Sequence, residues 1–323
     1  MPAPGHRAGL DAERSAHPFS RKNHAASDED METLIPQWKD YQLVDSGAGR
    51  KLERFGDFAL IRPEPQAKWA AALPAARWEQ ADAEFVKAKA GERGDWKLRA
   101  ALPERWAIQR GKLKFWIRAS PSGHVGVFPD QACHWDWIAG MSTRAGVQVK
   151  ALGLFGHTGL ATLAAAAAGA EVTHVDASRR AVAWARENQS LSGLGERPIR
   201  WIVEDALTFV RREARRGNRY DALMLDPPRF GRGPDGEIWK AAESLPELLA
   251  ACGKILSPSP VFVLLNTYAT VLTRGRIEKE AEGLRSDLKR TLEGSRLTIT
   301  AGGLAIEDTA GRRISASVFA RAQ

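Results

Sequence analysis

The sequence predicts an α/β fold: a mostly parallel sheet that ends in an antiparallel hairpin, preceded by a small, mostly β-stranded N-terminal domain. Three observations carry this prediction. From about residue 147, apolar strand-like runs alternate with helical stretches, each handed over by turn residues. That is the pattern of a parallel sheet covered on both faces by crossover helices. The last two runs, Leu297–Ala301 and Ile314–Ala320, are joined by a turn-rich loop, Glu307–Arg313, without a helix, which calls for antiparallel pairing. Before residue 140 the chain shows short strands and eight of its eleven tryptophans, aromatic surface enough for a core of its own.

Taken in order, residues 1–35 are polar and aperiodic. They offer too little apolar surface to offset chain ordering and read as a flexible tail. Residues 36–130 form the small β-rich domain. There Phe58–Arg62 stops at Pro63 and Pro65, as a strand does. Lys114–Arg118 alternates polar and apolar residues, turns at Pro121-Ser-Gly123 and returns as His124–Phe128, a hairpin pattern. Over 131–323 the expected parallel strands are Val149–Gly156, Glu171–Ala177, Ile199–Ala206, Tyr220–Pro228 and Val261–Tyr268. Helices are expected over Ser178–Gln189, Ala241–Leu256 and Gly275–Leu292.

Composition narrows the class. At 323 residues, 44% hydrophobic and 27% charged, the chain is not a disordered or fibrous one. No apolar run approaches the roughly 18 residues of a membrane span, and the N-terminus lacks the order of a secretory signal. A cytoplasmic location without membrane contact is the expectation. Two cysteines, Cys133 and Cys252, cannot build a disulfide scaffold or a four-ligand zinc site alone, and no metal is expected. The net charge of +8 divides equally, +4 in residues 1–150 and +4 in 151–323, so there is no basic arm and any polyanion must meet folded surface.

Four strand ends carry polar or glycine patterns where an open α/β sheet receives its ligand. In Leu154-Phe-Gly-His-Thr-Gly159, Gly156 and Gly159 permit close backbone approach, and the following helix presents unpaired N–H groups. Asp176, about twenty residues on, suits a ribose diol or a helix cap. Asp205 suits an adenine amino group or, again, a cap. Asp226-Pro-Pro-Arg-Phe230 follows a buried strand; its prolines remove two N–H donors and leave carbonyls free, and Phe230 is placed to stack on a planar substrate.

These pieces, with Gly126-Val-Phe-Pro-Asp-Gln131, resemble a class I S-adenosylmethionine-dependent methyltransferase. More narrowly, the chain from about residue 110 is similar to the bacterial ribosomal large-subunit RNA methyltransferases related to the cytosine-C5 enzymes. The resemblance implies a Rossmann-like sheet and S-adenosyl-L-methionine as cofactor. It implies cofactor contacts from Phe155, Gly156, Thr158, Gly159, Asp176, Ala177, Asp205, Ala206, Asp226, Asp130 and Gln131, with Asp176 on ribose and Asp205 at the adenine end. Phe128 is implied near the cofactor or target. The terminal hairpin separates this sheet from the ordinary dinucleotide-binding one.

The chain departs from that family twice. Gly153 stands where an acid or amide is usual, so the methionine ammonium falls to Asp226, Asp130 or main-chain carbonyls. The attacking cysteine of the C5 enzymes is replaced by Leu265-Asn-Thr-Tyr268, and Arg229 follows the double proline. Carbon-5 of cytosine is a poor nucleophile without a covalent adduct. Transfer to a nitrogen is therefore expected, with Asp226, Pro227, Pro228 and Phe230 at the reacting centre and Arg229, Asn266 and Tyr268 at the substrate.

An RNA partner, ribosomal RNA favoured, is expected from the stretch Lys97–Arg118. It holds seven basic residues, Lys112 and Lys114 among them, against the single acid Glu104, interleaved with Trp106, Phe115 and Trp116. A solvated strand with an aromatic core face explains it equally well. The rivals are a protein or small-molecule methyltransferase, a non-catalytic RNA-binding relative, and an NAD-dependent oxidoreductase using the same glycine loop.

Overall fold

A computed structural model describes residues 32–88, 93–268 and 274–323. The expected tail lies outside the described residues up to residue 31. Its last residues are not a tail: Glu32–Leu34 form strand β1, paired in parallel with a strand from the far end of the chain. Strands β2 (Tyr41–Gly47), β3 (Arg50–Phe55) and β4 (Phe58–Pro63) form a meander. A short helix α1 (Ala75–Glu79) leads to β5 (Ala83–Lys87) and β6 (Gly94–Leu98), which complete a five-stranded sheet.

A separate hairpin of β7 (Trp106–Arg110) and β8 (Leu113–Ile117) follows. This corrects the expected pairing of Lys114–Arg118 with His124–Phe128. The true partner precedes it, across a two-residue turn whose Gly111 sits at φ +57°, as tight hairpins require. Residues 120–123 do turn, but the returning segment 124–128 is irregular.

A single 3-10 turn at Pro129–Gln131 introduces helix α2 (Ala132–Arg144). Strands and helices then alternate: β9 (Lys150–Leu154), α3 (Leu160–Ala167), β10 (Glu171–Asp176), α4 (Arg179–Leu191), β11 (Ile199–Val203), α5 (Ala206–Arg215) and β12 (Ala222–Leu225). A small ribbon of β13 (Phe230–Arg232) and β14 (Ile238–Lys240), not expected from the sequence, precedes α6 (Ala241–Gly253). Strand β15 (Phe262–Thr267), helix α7 (Arg274–Thr291) and the antiparallel pair β16 (Ile299–Glu307) and β17 (Arg313–Ala322) complete the chain. The sheet order is β1-β16-β17-β15-β12-β9-β10-β11, with β15, β12, β9, β10 and β11 parallel and β17 antiparallel to β15.

Alternation along the central strands sends neighbours to opposite faces. Ala222 and Met224 of β12 join one buried cluster, Leu223 and Leu225 the other; Phe262 and Leu264 of β15 divide from Val263 and Leu265 in the same way. The first cluster also holds Tyr41, Phe55, Trp106 and Phe115. The aromatics of the N-terminal β-rich part thus pack into the same core as one face of the large sheet, and the described residues form one compact unit.

Candidate active site

The chain passes from β9 outward through β10 and β11, then returns to place β12 on the other side of β9. The crevice beyond the carboxyl ends of β9 and β12 is the switch point of the sheet, where open α/β folds bind ligands. A cleft of about 610 Å³ opens there. Its lining includes Phe155, Asp176, Ala177, Asp205, Ala206, Asp226, Pro228, Arg229, Phe230 and Tyr268. A smaller cavity of about 50 Å³ shares Phe128, Phe155, His157 and Asp226 and adds Gln131, Gly153, Gly156, Thr158 and Asn266.

The loop after β9 is held in an uncommon conformation. Phe155 and His157 sit at φ +56° and +47°, the left-handed region that costs a non-glycine residue about 1 kcal/mol or more. Hydrogen bonds hold it: Gly156 N donates to Val175 O at 3.2 Å, and His157 N donates to Asp176 Oδ2 at 2.8 Å. At Gly156 a Cβ would stand 2.4 Å from Cε1 of the buried His174 ring, so no larger residue fits without displacing one or the other.

Asp176 therefore serves the loop before any ligand. Its Oδ1 also accepts from Ser178 N at 2.8 Å, but the cap of α4 is Ser178, whose hydroxyl accepts from Ala181 N. Burial raises the Asp176 pKa, against the opposing pull of the Ser178 and His157 N–H groups. Asp205 is a cap as well as a lining residue: it opens α5, accepting from Thr208 N at 2.8 Å.

Asp226 is held from both sides. Asn266 Nδ2 donates to Oδ1 at 2.8 Å and Gln131 Nε2 donates to Oδ2 at 2.7 Å; the Tyr268 hydroxyl lies 3.3 Å from the same Gln131 nitrogen. Burial raises the Asp226 pKa, and these amide hydrogen bonds offset part of the rise. Behind Asn266, His134 Nε2 stands 3.4 Å from its Oδ1, and Arg321 donates to His134 Nδ1 from Nε at 3.1 Å. The carbonyl of Pro228 accepts from Trp239 Nε1 at 2.6 Å, and Trp239 packs its ring 4.8 Å from Phe155. Phe230 is 69% exposed at the lip.

Five expected site residues lie outside both cavities. Gly159 starts α3 at φ +86° and Pro227 is buried. Asp130 is buried behind the neighbouring Gln131, within 3.4 Å of the Ser317 hydroxyl; burial, then repulsion from Asp226, pushes its pKa up to about 6. Lys112 and Lys114 are exposed on the β7–β8 hairpin, beside α4. The surrounding basic stretch is largely spoken for. Arg99 pairs with Glu84, Arg105 and Arg118 with Glu187, and Arg110 with Asp136, while Trp106 and Phe115 are buried core. Sequence reasoning missed His157 and Trp239 as lining residues, and His134 and Arg321 behind Asn266; only His157 carried a signal, its place inside the glycine loop.

The family described as "Conserved hypothetical protein 95" matches residues 134–247. A crystal structure of a SAM-dependent methyltransferase from Agrobacterium tumefaciens is 40% identical, covers 90% of this chain and 93% of its own, and superposes with a TM-score of 0.84. This chain belongs to the S-adenosylmethionine-dependent methyltransferases.

A solved structure from Streptococcus mutans shares the fold at 17% identity and a TM-score of 0.63, over 88% of this chain and 74% of its own. Among curated proteins, the "Ribosomal RNA large subunit methyltransferase K/L" of Methylococcus capsulatus is 30% identical over 45% of this chain. That of Hahella chejuensis is 29% identical over 60%. The chain spans only 20% and 27% of the lengths of those two relatives.

The methyltransferase's cofactor is S-adenosylmethionine, and the residues fit it. Carboxylates stand at the ends of β10, β11 and β12 around one cleft, and Gly156 of the glycine loop, having no side chain, lines the adjoining cavity with main chain alone.

Proposed function

We propose that this methyltransferase modifies a nitrogen of an RNA base, ribosomal RNA favoured, by direct in-line transfer without a covalent cysteine adduct. When bound, the cofactor supplies the electrophilic methyl group. The observation that carries the reading is the Asp226 carboxylate, oriented by two amide donors at the junction of the two cavities. Each of its oxygens keeps a lone pair after those bonds, so it can accept from an exocyclic amine and hold the nitrogen toward the methyl. Asp176 and Asp205 are assigned to ribose and adenine, Phe230 and Tyr268 to stacking on the base, and Arg229 to the substrate's backbone.

The thiols are badly placed for adduct chemistry. Burial pushes Cys252, inside α6, up to about 12, and Cys133, on α2, up to about 11. A thiolate is the reactive form, so neither is primed. The RNA assignment is supported by the names of the curated relatives, and an exposed aromatic at the lip suits an unstacked base. Labelled cofactor with an unmodified large-subunit ribosomal RNA transcript tests the reading. An N-methylated nucleoside in the digest is the expected product, lost with Asp226→Ala and retained in the Cys133→Ser/Cys252→Ser double variant. A C5-methylated pyrimidine, or label in protein or small molecules only, would overturn it.

A further inference from the structure

The side chains behind Asp226 form a chain of fixed direction. Arg321 is buried at 7% exposure, with its guanidinium 4.9 Å from the ring centres of both Trp137 and Phe319. Its Nε and Nη2 stand 3.1 and 2.6 Å from His134 Nδ1, and Nη2 also donates to Cys133 O at 3.0 Å. A guanidinium has donors only, so Nδ1 of the fully buried His134 ring must accept. A neutral imidazole then carries its proton on Nε2, and Nε2 faces Asn266 Oδ1 at 3.4 Å. With its oxygen accepting from His134, the Asn266 amide is compelled to present its NH₂ to Asp226, 2.8 Å away. The opposite amide orientation would set oxygen against carboxylate.

We propose that Arg321 and His134 are positioning residues for methyl transfer: Arg321 selects the Nε2–H form of His134, which locks the Asn266 amide as a donor to Asp226. The inference rests on the reading of Asp226 above. The lock acts from behind the cleft, since neither Arg321 nor His134 lines the cavities described, and it reaches the wall only through Asn266. It explains why a polar pair occupies a site enclosed by Phe319 and Trp137. Losing direction at the reacting centre costs on the order of 10- to 100-fold in rate.

The ring itself is measurable without any substrate. Nitrogen-15 NMR of the whole protein, with His134→Gln assigning the resonance, should show His134 protonated at Nε2 and bare at Nδ1. A proton on Nδ1 overturns the proposal. For catalysis, labelled cofactor and the ribosomal RNA transcript compare wild type with Arg321→Met and Arg321→Lys. Arg321→Met should lower kcat about 10-fold or more, with KM for the cofactor and S-adenosylhomocysteine affinity unchanged, while Arg321→Lys, which keeps a donor, recovers part of the loss. Unchanged kcat in Arg321→Met, or an equal loss in cofactor affinity, overturns it. If Asp226→Asn retains full activity, the reading of Asp226 falls. If wild type labels no RNA, the substrate assignment falls, and the NMR result decides the lock alone.

Discussion

Asp130 shows how a single buried side chain can make a stable fold depend on pH. Its pKa rises from 3.8 to about 6, through burial first and the nearby Asp226 second. Between those values the unfolded chain releases a proton that the folded chain keeps, so stability falls as pH rises through this window and stays reduced above it. Asp130→Asn removes the penalty. It should raise the thermal midpoint at pH 8 by an amount corresponding to about 3 kcal/mol at most, with the gain vanishing toward pH 4. A gain that persists at pH 4 would show that packing, not ionisation, is responsible. A second residue-scale prediction concerns Gly156→Ala. The new Cβ meets the His174 ring at 2.4 Å, so the loop must move, and S-adenosylhomocysteine affinity by calorimetry should drop at least 10-fold. At this scale the sequence was most legible where position alone decides. Asp176, Asp205 and Asp226 stand out because each terminates an apolar run at the rim of the cleft. Arg321 and His134 were illegible, since 187 residues separate them and neither belongs to a recognisable local pattern.

Elements were legible in proportion to their regularity. The alternation of central strands and helices, and the antiparallel ending, follow directly from periodicity and the missing crossover helix. The hairpin over 106–117 was assigned the wrong partner because Pro121-Ser-Gly123 is the more conspicuous turn, while the Gly111–Lys112 turn is only two residues long. The ribbon of β13 and β14 left no trace, being three residues a side. Tertiary contact holds it: Gly231 pairs with Trp239, whose ring packs on Phe155 and whose indole N–H donates to Pro228 O. Trp239 is 5% exposed while Phe230 and Ile238 stand out at 69% and 67%. Trp239→Ala should therefore loosen the wall of the cleft as well as the core. We expect destabilisation of about 3 kcal/mol or more, weaker S-adenosylhomocysteine binding, and faster proteolytic cleavage between residues 229 and 241. Unchanged cleavage there would mean the ribbon holds without its anchor.

Across the whole molecule, the β-rich N-terminal part and the large sheet are tied by charge as well as by aromatic packing. Asp45 and Asp308, both buried, share Arg312: its Nη2 pairs with Asp45, and its Nε donates to Asp308 Oδ2 at 2.8 Å. Trp78 Nε1 donates to Asp45 at 2.9 Å and the Ser46 hydroxyl to Asp308 at 2.6 Å. Burial works to raise both acids, but the N–H groups of Leu73, Ala72 and Ser46 with the Trp78 indole hold Asp45 below its ordinary value, and Arg312 with the Ser46 hydroxyl holds Asp308 below its own. Removing the cation strands two buried carboxylates, which costs about 3–5 kcal/mol. Arg312 belongs to the turn between β16 and β17, whereas Asp45 belongs to β2. If the two parts unfold as one body, Arg312→Met must lower the midpoint of a single thermal transition followed by near-UV circular dichroism and by tryptophan fluorescence alike. The sign with pH is fixed too. Acids with lowered pKa values lend stability above the unfolded value of 3.8 and lose it as pH falls through their folded values. The gap between wild type and variant should therefore be widest at neutral pH and close in acid. Two resolved transitions in the variant, with the tryptophan signal melting first, would show instead that the β-rich part is an independent folding unit.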